Sequence, residues 1–313
     1  MRIAVVDVGT NTTRLFIADV DVQHGTLIDE VLRISRVTRL GGGVDAGGRL
    51  LDDALDREHA VLSDYRELIS RHEVDSAVAV MTSAVRDAAN GRGFADDVAG
   101  RYGLDVHVLT GDEEANLTYL GATDELDPTG PDANRKILVL DIGGGSTELV
   151  VGHGRTPEFH ASTQAGVVRQ ADRHIFNDPP TPDELDEVAA DARSVIEQAV
   201  PEERRSGIER AIAVAGTPTS LAAIAQNLEP YDPAQVHGYV LTATERDRIF
   251  GRLAALPLDR RREVRGLHPD RAVSILPGIV ILTVAMDLFG LDAITVSEHD
   301  ILRGAALTYA RSG

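Results

Sequence analysis

The chain has no cysteine and no tryptophan, and aromatic residues make up only 4% of its 313 positions. Without cysteine there is no disulfide, no thiolate-held iron–sulfur cluster and no Cys-ligated zinc. Bases are scarce beside acids: 31 Lys and Arg against 50 Asp and Glu give a formal net charge of −19. A surface of that sign repels nucleic acid, so no nucleic-acid partner is expected. Long hydrophobic runs are also missing. The longest, Ile275–Met286, falls short of the roughly 20 residues a bilayer span needs and contains Pro277, so a buried helix is expected there. Met1-Arg2 leads at once into a strand-like run, which leaves no space for a signal peptide. These absences predict a soluble, cytoplasmic protein with no membrane partner.

What the chain does contain is a duplicated motif. Asp7-Val-Gly-Thr-Asn-Thr-Thr-Arg14 and Asp141-Ile-Gly-Gly-Gly-Ser-Thr-Glu148 align without a gap, each after an apolar run (Ile3–Val6; Ile137–Leu140) and before another. Each copy reads as a strand, a tight polar turn and a second strand. Gly9 and Gly143, Gly144 and Gly145 let the backbone approach an anion closely. Thr10, Asn11, Thr12, Thr13, Ser146 and Thr147 add polar side chains around the same turns, a set suited to holding phosphate. Two copies point to a phosphate chain gripped from both sides.

Asp7 and Asp141 stand at the ends of the first strands. Carboxylates beside a phosphate cradle repel the substrate unless a cation lies between, which predicts Mg2+ or Mn2+ on Asp7, Asp141 and Glu148. At the position of Glu148 the first copy carries Arg14, a cation able to grip a terminal phosphate bidentately. An ion pair between Arg14 and Glu148 is the competing reading.

The rest of the chain alternates strand-like and helix-like segments, the pattern of an α/β layered fold. Thr26–Val37 reads as a strand, Leu40–Asp45 as a glycine-rich loop and Leu51–Arg71 as a helix. Ala77–Met81 and Val106–Leu109 are short strands. They are followed by Thr82-Ser83-Ala84-Val85-Arg86, with Asn90 nearby, and by Thr110-Gly111-Asp112-Glu113-Glu114 at a helix start. Ligands gather at the carboxyl ends of strands in such sheets, so Ser83, Arg86, Glu113 and Glu114 are candidates for substrate and water. Acids also favour a helix N-terminus for its dipole alone. Asp124–Arg135 has the polar, Pro- and Gly-rich character of a linker. Beyond it, helices are predicted from Pro182 to about Val200, after Gly216, over Ala272–Phe289 and over Ile301–Arg311, with strands at Ala211–Val214 and Ala293–Val296. The basic run Arg260–Arg265, with Arg271, reads as a solvated loop face rather than a polyanion track. His299-Asp300 resembles the pair of HD-type metal hydrolases, but no partner His–Asp set surrounds it in the sequence.

These residues resemble the exopolyphosphatase / guanosine pentaphosphate phosphohydrolase (Ppx/GppA) family. It lies within the actin, sugar-kinase and heat-shock-chaperone superfamily. The matching blocks are Asp7–Leu15, Arg39–Asp45, Thr82–Arg86, Gly111–Ala115, Asp141–Leu149, Ala215–Thr217, His237-Gly238, Gly266–Ala272 and Ser297–Leu307. The resemblance implies two ribonuclease-H-like domains with an interdomain cleft: residues 1–127, completed by 300–313, and 128–299. It further implies Mg2+-dependent release of a terminal phosphate, with the catalytic glutamate on Glu114, Glu113 as fallback, and metal and water contacts on Asp141 and Glu148. Long members carry additional HD-type domains absent here, which implies a short-form exopolyphosphatase, a homodimer by analogy with the family, and a hypothetical preference for shorter polyphosphate. The pppGpp 5'-phosphohydrolase reaction is the alternative, since pppGpp ends in the same triphosphate-like group. A kinase of the superfamily would need an adenosine pocket where this chain has Gly216-Thr217-Pro218, a poorer match. A chaperone or filament former would leave Glu113 and Glu114 without a purpose.

Overall fold

The computed structural model describes residues 1–310, without the side chains of residues 45 and 46. Asp45 of the glycine-rich loop, by its side chain, and Arg311 of the terminal helix thus lie outside the described residues. The chain forms two compact units, Met1–Asp124 joined by the segment from Asp300, and Glu125–His299.

The first unit runs β1 (Arg2–Val8), β2 (Thr12–Asp21), β3 (Thr26–Val37), α1 (Val44–Gly47), α2 (Asp52–Arg71), β4 (Ser76–Met81), α3 (Ser83–Asp87), α4 (Gly91–Tyr102), β5 (Asp105–Val108) and α5 (Gly111–Thr123). Its sheet has the order β3-β2-β1-β4-β5, antiparallel from β3 to β1 and parallel from β1 to β5. Strand side chains alternate between faces. Ala4, Val6, Leu15, Ile17, Ala79 and Met81 pack with Leu62, Tyr65 and Ile69 of α2, and with Phe94 and Val98 of α4. Ile3, Val5, Phe16, Val78 and Val80 face the other way, onto Leu117 of α5 and Leu302, Ala305 and Ala306 of the C-terminal helix. A fully buried β1 explains its near-continuous apolar run.

The second unit runs β6 (Lys136–Ile142), β7 (Thr147–His153), β8 (Thr156–Thr163), α6 (Val167–His174), α7 (Pro182–Ala199), α8 (Glu202–Arg205), β9 (Arg210–Val214), α9 (Gly216–Gln226), α10 (Pro233–Val236), β10 (Val240–Thr242), α11 (Ala243–Ala254), α12 (Leu258–Arg261), α13 (Ile275–Phe289) and β11 (Ala293–Val296); α14 (Ile301–Tyr309) returns the chain to the first unit. Its sheet order is β10-β11-β9-β6-β7-β8. Read from β8 inward, three antiparallel strands followed by parallel neighbours repeat the plan of the first sheet. α7 starts where Thr181 accepts from the Glu184 N–H, with Pro182 in the first turn, a capping box that makes its start legible. α13 is buried nearly throughout, as its composition requires. Among the described residues no helix is long and apolar enough to cross a membrane.

Candidate active site

The two motif copies fold into hairpins with the same register. Asp7 stands opposite Arg14 across β1 and β2, and Asp141 stands opposite Glu148 across β6 and β7. Each turn is closed alike: the Gly9 N–H donates to Thr12 O at 3.1 Å, and the Gly143 N–H to Ser146 O at 2.9 Å. The duplication is therefore one of geometry as well as of residue type.

A glycine-containing segment backs each turn and takes up its carbonyls. In the first unit Asn11 O accepts from the Thr38 and Arg39 N–H groups, and Thr10 O accepts from the Gly41 N–H at 2.8 Å. A side chain at Gly41 would meet Thr10 Cγ2 at 2.3 Å. In the second unit Gly143 O accepts from the Val167 N–H and Gly144 O from the Val168 N–H, while Gly145 O accepts from Arg169 Nε at 2.9 Å. Gly166 lies so close that a Cβ would fall 2.2 Å from Gly145 C and 2.4 Å from Ser146 N. The C=O and N–H of a trans peptide point in opposite directions. Spending the carbonyls on the protein therefore turns the N–H groups of each turn away from the backing segment, as an anion cradle needs.

Not every polar side chain of the motifs joins the cradle. Thr13 is fully buried, and its hydroxyl donates to both carboxylate oxygens of Glu58 at 2.7 Å. Thr147, its counterpart, is equally buried and donates to Ala165 O at 2.5 Å. Both hydroxyls were expected on phosphate. They point inward because positions 13 and 147 share strand faces with Leu15 and Leu149, which belong to the cores. Thr10 does stay with the turn, its hydroxyl 2.9 Å from Ser83 Oγ, so the start of α3 is tied to the first cradle.

Arg14 lies between two buried carboxylates. Its guanidinium donates to Asp7 Oδ2 at 2.9 Å and pairs with Asp300. Burial raises Asp7 above the ordinary carboxylate value, and Arg14 only partly offsets it. Burial pushes Asp300 upward too, yet Arg14, Arg33 and the Leu302 N–H outweigh it and hold that carboxyl below its ordinary value. Asp300 Oδ1 also caps α14. In the His299-Asp300 pair the two side chains thus part company.

The adjacent acids of α5 separate in the same manner. Glu113 completes a capping box: its carboxylate accepts from the Thr110 N–H at 2.8 Å while the Glu113 N–H donates to Thr110 Oγ1. Those Thr110 hydrogen bonds hold Glu113 below its ordinary value. Glu114 is buried, and Oε2 accepts from Arg86 Nη1 at 3.0 Å. Arg86 also donates to Leu109 O, at the end of β5. Asn90 forms paired hydrogen bonds with the Leu50 backbone and serves as a tether.

In the second unit Asp141 and Glu148 are both buried, and Ser162 Oγ donates to Glu148 Oε1 at 2.9 Å. Two buried carboxylates facing each other across a ladder provide hard oxygen donors of the kind Mg2+ takes. Asp7 is a weaker candidate, since its Oδ2 is already paired with Arg14, although its Oδ1 is buried with no hydrogen-bond partner. Arg271 donates to Gly216 O and reaches the hydroxyls of Thr219 and Ser220, at the start of α9. The run Arg260–Arg265 is only in part the solvated face expected. Arg260 and Arg262 pair with Glu263 and Asp259 at the surface. Arg261 is buried, donating to Ala272 O and Leu256 O, and burial lowers its pKa.

Gly166 and Arg169 went unread in the sequence, although a glycine after a strand at a helix start is a recognisable signal. β8 (Thr156–Thr163) has no apolar alternation to mark it in the sequence; it is an edge strand whose first three residues are exposed.

Residues 16–307 match the Ppx/GppA phosphatase family. The chain is 39% identical to exopolyphosphatase 2 of Mycobacterium tuberculosis, over 99% of this chain and 98% of that protein. The crystal structure of the Aquifex aeolicus Ppx/GppA family member superimposes with a TM-score of 0.81 at 31% identity, covering 100% of this chain and 98% of that one. An exopolyphosphatase from Cytophaga hutchinsonii gives 0.88 at 27% identity, with the same coverage. The fold is α/β, with the same sheet plan repeated in two units. The chain belongs to the Ppx/GppA phosphatase family.

Proposed function

We propose that the chain is an exopolyphosphatase, hydrolysing the terminal phosphoanhydride of inorganic polyphosphate and releasing orthophosphate. The observation carrying this reading is the pair of register-matched hairpin turns whose carbonyls are spent on backing segments. Backbone N–H groups of Asn11 and Thr12 in the first turn and of Gly144, Gly145 and Ser146 in the second, with the Thr10, Thr12 and Ser146 hydroxyls, bind phosphate oxygens. Glu114, oriented by Arg86, takes a proton from water as the water oxygen attacks the terminal phosphorus. The bridging P–O bond breaks, and the shortened polyphosphate leaves as an anion that needs no proton. Asp141 and Glu148 would hold Mg2+ or Mn2+, which when bound neutralises charge on the phosphates. Arg14, gripped by Asp7 and Asp300, positions the first hairpin.

The reading is tested by incubating the purified chain with Mg2+ and, separately, polyphosphate, ATP and pppGpp, and measuring orthophosphate. Release from polyphosphate exceeding that from the other two is expected. A rate confined to ATP, or no release at all, would reject it.

A further inference from the structure

Far from one another in sequence, Glu125, His237 and His299 meet in the second unit, one ligand-capable atom of each lying within 4.8 Å of the others. Glu125 Oε2 is 3.6 Å from His237 Nε2 and 3.5 Å from His299 Nδ1, and the two imidazole rings are 4.1 Å apart between centroids. We propose that these three side chains form a binding site for a divalent transition-metal ion of the zinc class.

Two imidazoles and one carboxylate are a borderline donor set that suits Zn2+ and disfavours Mg2+, which prefers an all-oxygen shell. Tetrahedral coordination with bonds of about 2.0–2.1 Å places neighbouring ligand atoms roughly 3.3 Å apart. The observed carboxylate–imidazole separations exceed that by a few tenths of an ångström and the two imidazole ligand atoms lie within 4.8 Å of each other, so the side chains close on an ion by turning inward. Glu125 is exposed and the histidines half-buried, which gives an ion a path in and leaves a fourth position for water.

A second shell is in place. Ser297 is buried, and its hydroxyl accepts from the His299 N–H at 2.9 Å and donates to His299 O at 3.2 Å, fixing the backbone that carries one ligand. The same hydroxyl lies 3.4 Å from His237 Nδ1, which also accepts from the Glu298 N–H at 3.3 Å. Coordination through Nε2 moves the His237 proton to Nδ1, where Ser297 Oγ becomes its acceptor and the Glu298 hydrogen bond is given up. That exchange costs one neutral hydrogen bond, on the order of 1 kcal/mol, against an ion held by three ligands.

The placement gives the ion a structural purpose. The chain enters the second unit at Glu125 and leaves it at His299, so a bound ion fastens the two segments through which this unit is connected. His299 follows β11 and Asp141 ends β6, with β9 between them. Two strand spacings, about 10 Å, separate these positions along the sheet, so the site is separate from the carboxylates assigned to Mg2+.

The test is equilibrium dialysis of the chelator-stripped protein against Zn2+ in excess Mg2+, with metal content measured per chain. One Zn2+ per chain is expected, with Co2+ giving the intense visible absorption of a tetrahedral site. Zn2+ should raise the melting temperature as any ligand of the folded state does. His237→Gln and His299→Gln should each weaken binding at least about 10–100-fold, the cost of losing even a second-shell partner. Glu125→Gln, at an exposed position that tolerates substitution, provides the same test should either histidine variant fail to fold. No retained Zn2+ in the parent protein, or stoichiometry and affinity unchanged in Glu125→Gln and both histidine variants, would overturn the proposal.

Discussion

Arg86 Nη1 donates to Glu114 Oε2 at 3.0 Å and to Leu109 O at 2.9 Å, so one guanidinium aligns a buried carboxylate with the end of the strand before it. Glu113, one residue earlier, is occupied with Thr110 at the helix cap. The two acids should therefore respond differently to substitution. Glu114→Gln is expected to lower turnover by roughly 10²–10⁴ while polyphosphate still binds. Glu113→Ala, which removes the N3 half of the capping box, should lower stability, with turnover changed only slightly. Steady-state phosphate release and thermal unfolding of both variants check this. Equal losses of turnover would remove the assignment of Glu114.

The carboxylates proposed for Mg2+ can be ranked in the same way. Chelation should abolish phosphate release, and added Mg2+ should restore it. Asp141→Asn should raise the Mg2+ concentration needed for half-maximal rate by about tenfold or more, since one or two carboxylates carry such a site. Asp7→Asn, at a carboxylate already paired with Arg14, should lower the rate with little effect on that Mg2+ requirement. A Mg2+ titration of each variant decides, and the reverse pattern would exchange the two roles.

Much of this site is legible in the sequence because hairpins are local. An apolar run, a polar turn and a second run set the register, and Asp7 opposite Arg14 follows from counting. Counting one step further would have placed Thr13 and Thr147 correctly, since both have the parity of core leucines. The Thr110-x-x-Glu113 spacing likewise announces a capping box, which sets Glu113 apart from Glu114. Other features were not legible. Buried Arg261 depends on the Ala272 and Leu256 carbonyls that the loop brings to it, and no periodicity encodes that. Glu125, His237 and His299 come together only through the sheet order, so no spacing rule could have joined them.

Gly166 provides a steric test of the second cradle. Its backbone is extended, at φ −97° and ψ 152°, so alanine is conformationally acceptable there. The obstacle is contact, because a Cβ would press on backbone atoms of Gly144, Gly145 and Ser146, which no rotamer change relieves. Gly166→Ala should cost about 1–3 kcal/mol as an overpacked site and raise the KM for polyphosphate by shifting the turn. Gly100→Ala is the control. It lies inside α4 with nothing within 4 Å of the new Cβ, and should stabilise by about 0.5–1 kcal/mol. Unaltered KM in Gly166→Ala would separate this turn from substrate binding.

Glu58 links the first hairpin's stability to pH. Burial raises its carboxyl from an ordinary value of 4.5 to about 7, only partly opposed by hydrogen bonds from Thr13 and Thr38. For an acid whose folded pKa is raised, the unfolded chain loses its proton first. The contribution of Glu58 to stability is therefore greatest below pH 4.5, falls as pH rises toward 7 and then levels off. The fall attributable to this group is roughly 3 kcal/mol, from 1.36 kcal/mol per pH unit across that window. Glu58→Gln keeps an acceptor for the Thr13 hydroxyl without a proton to lose. Unfolding by denaturant at a series of pH values should therefore show the variant gaining on the parent protein by about that amount between pH 4.5 and 7. If the difference between the two proteins stays constant across this range, Glu58 is ionised in the folded state and Thr13 donates to a charged carboxylate.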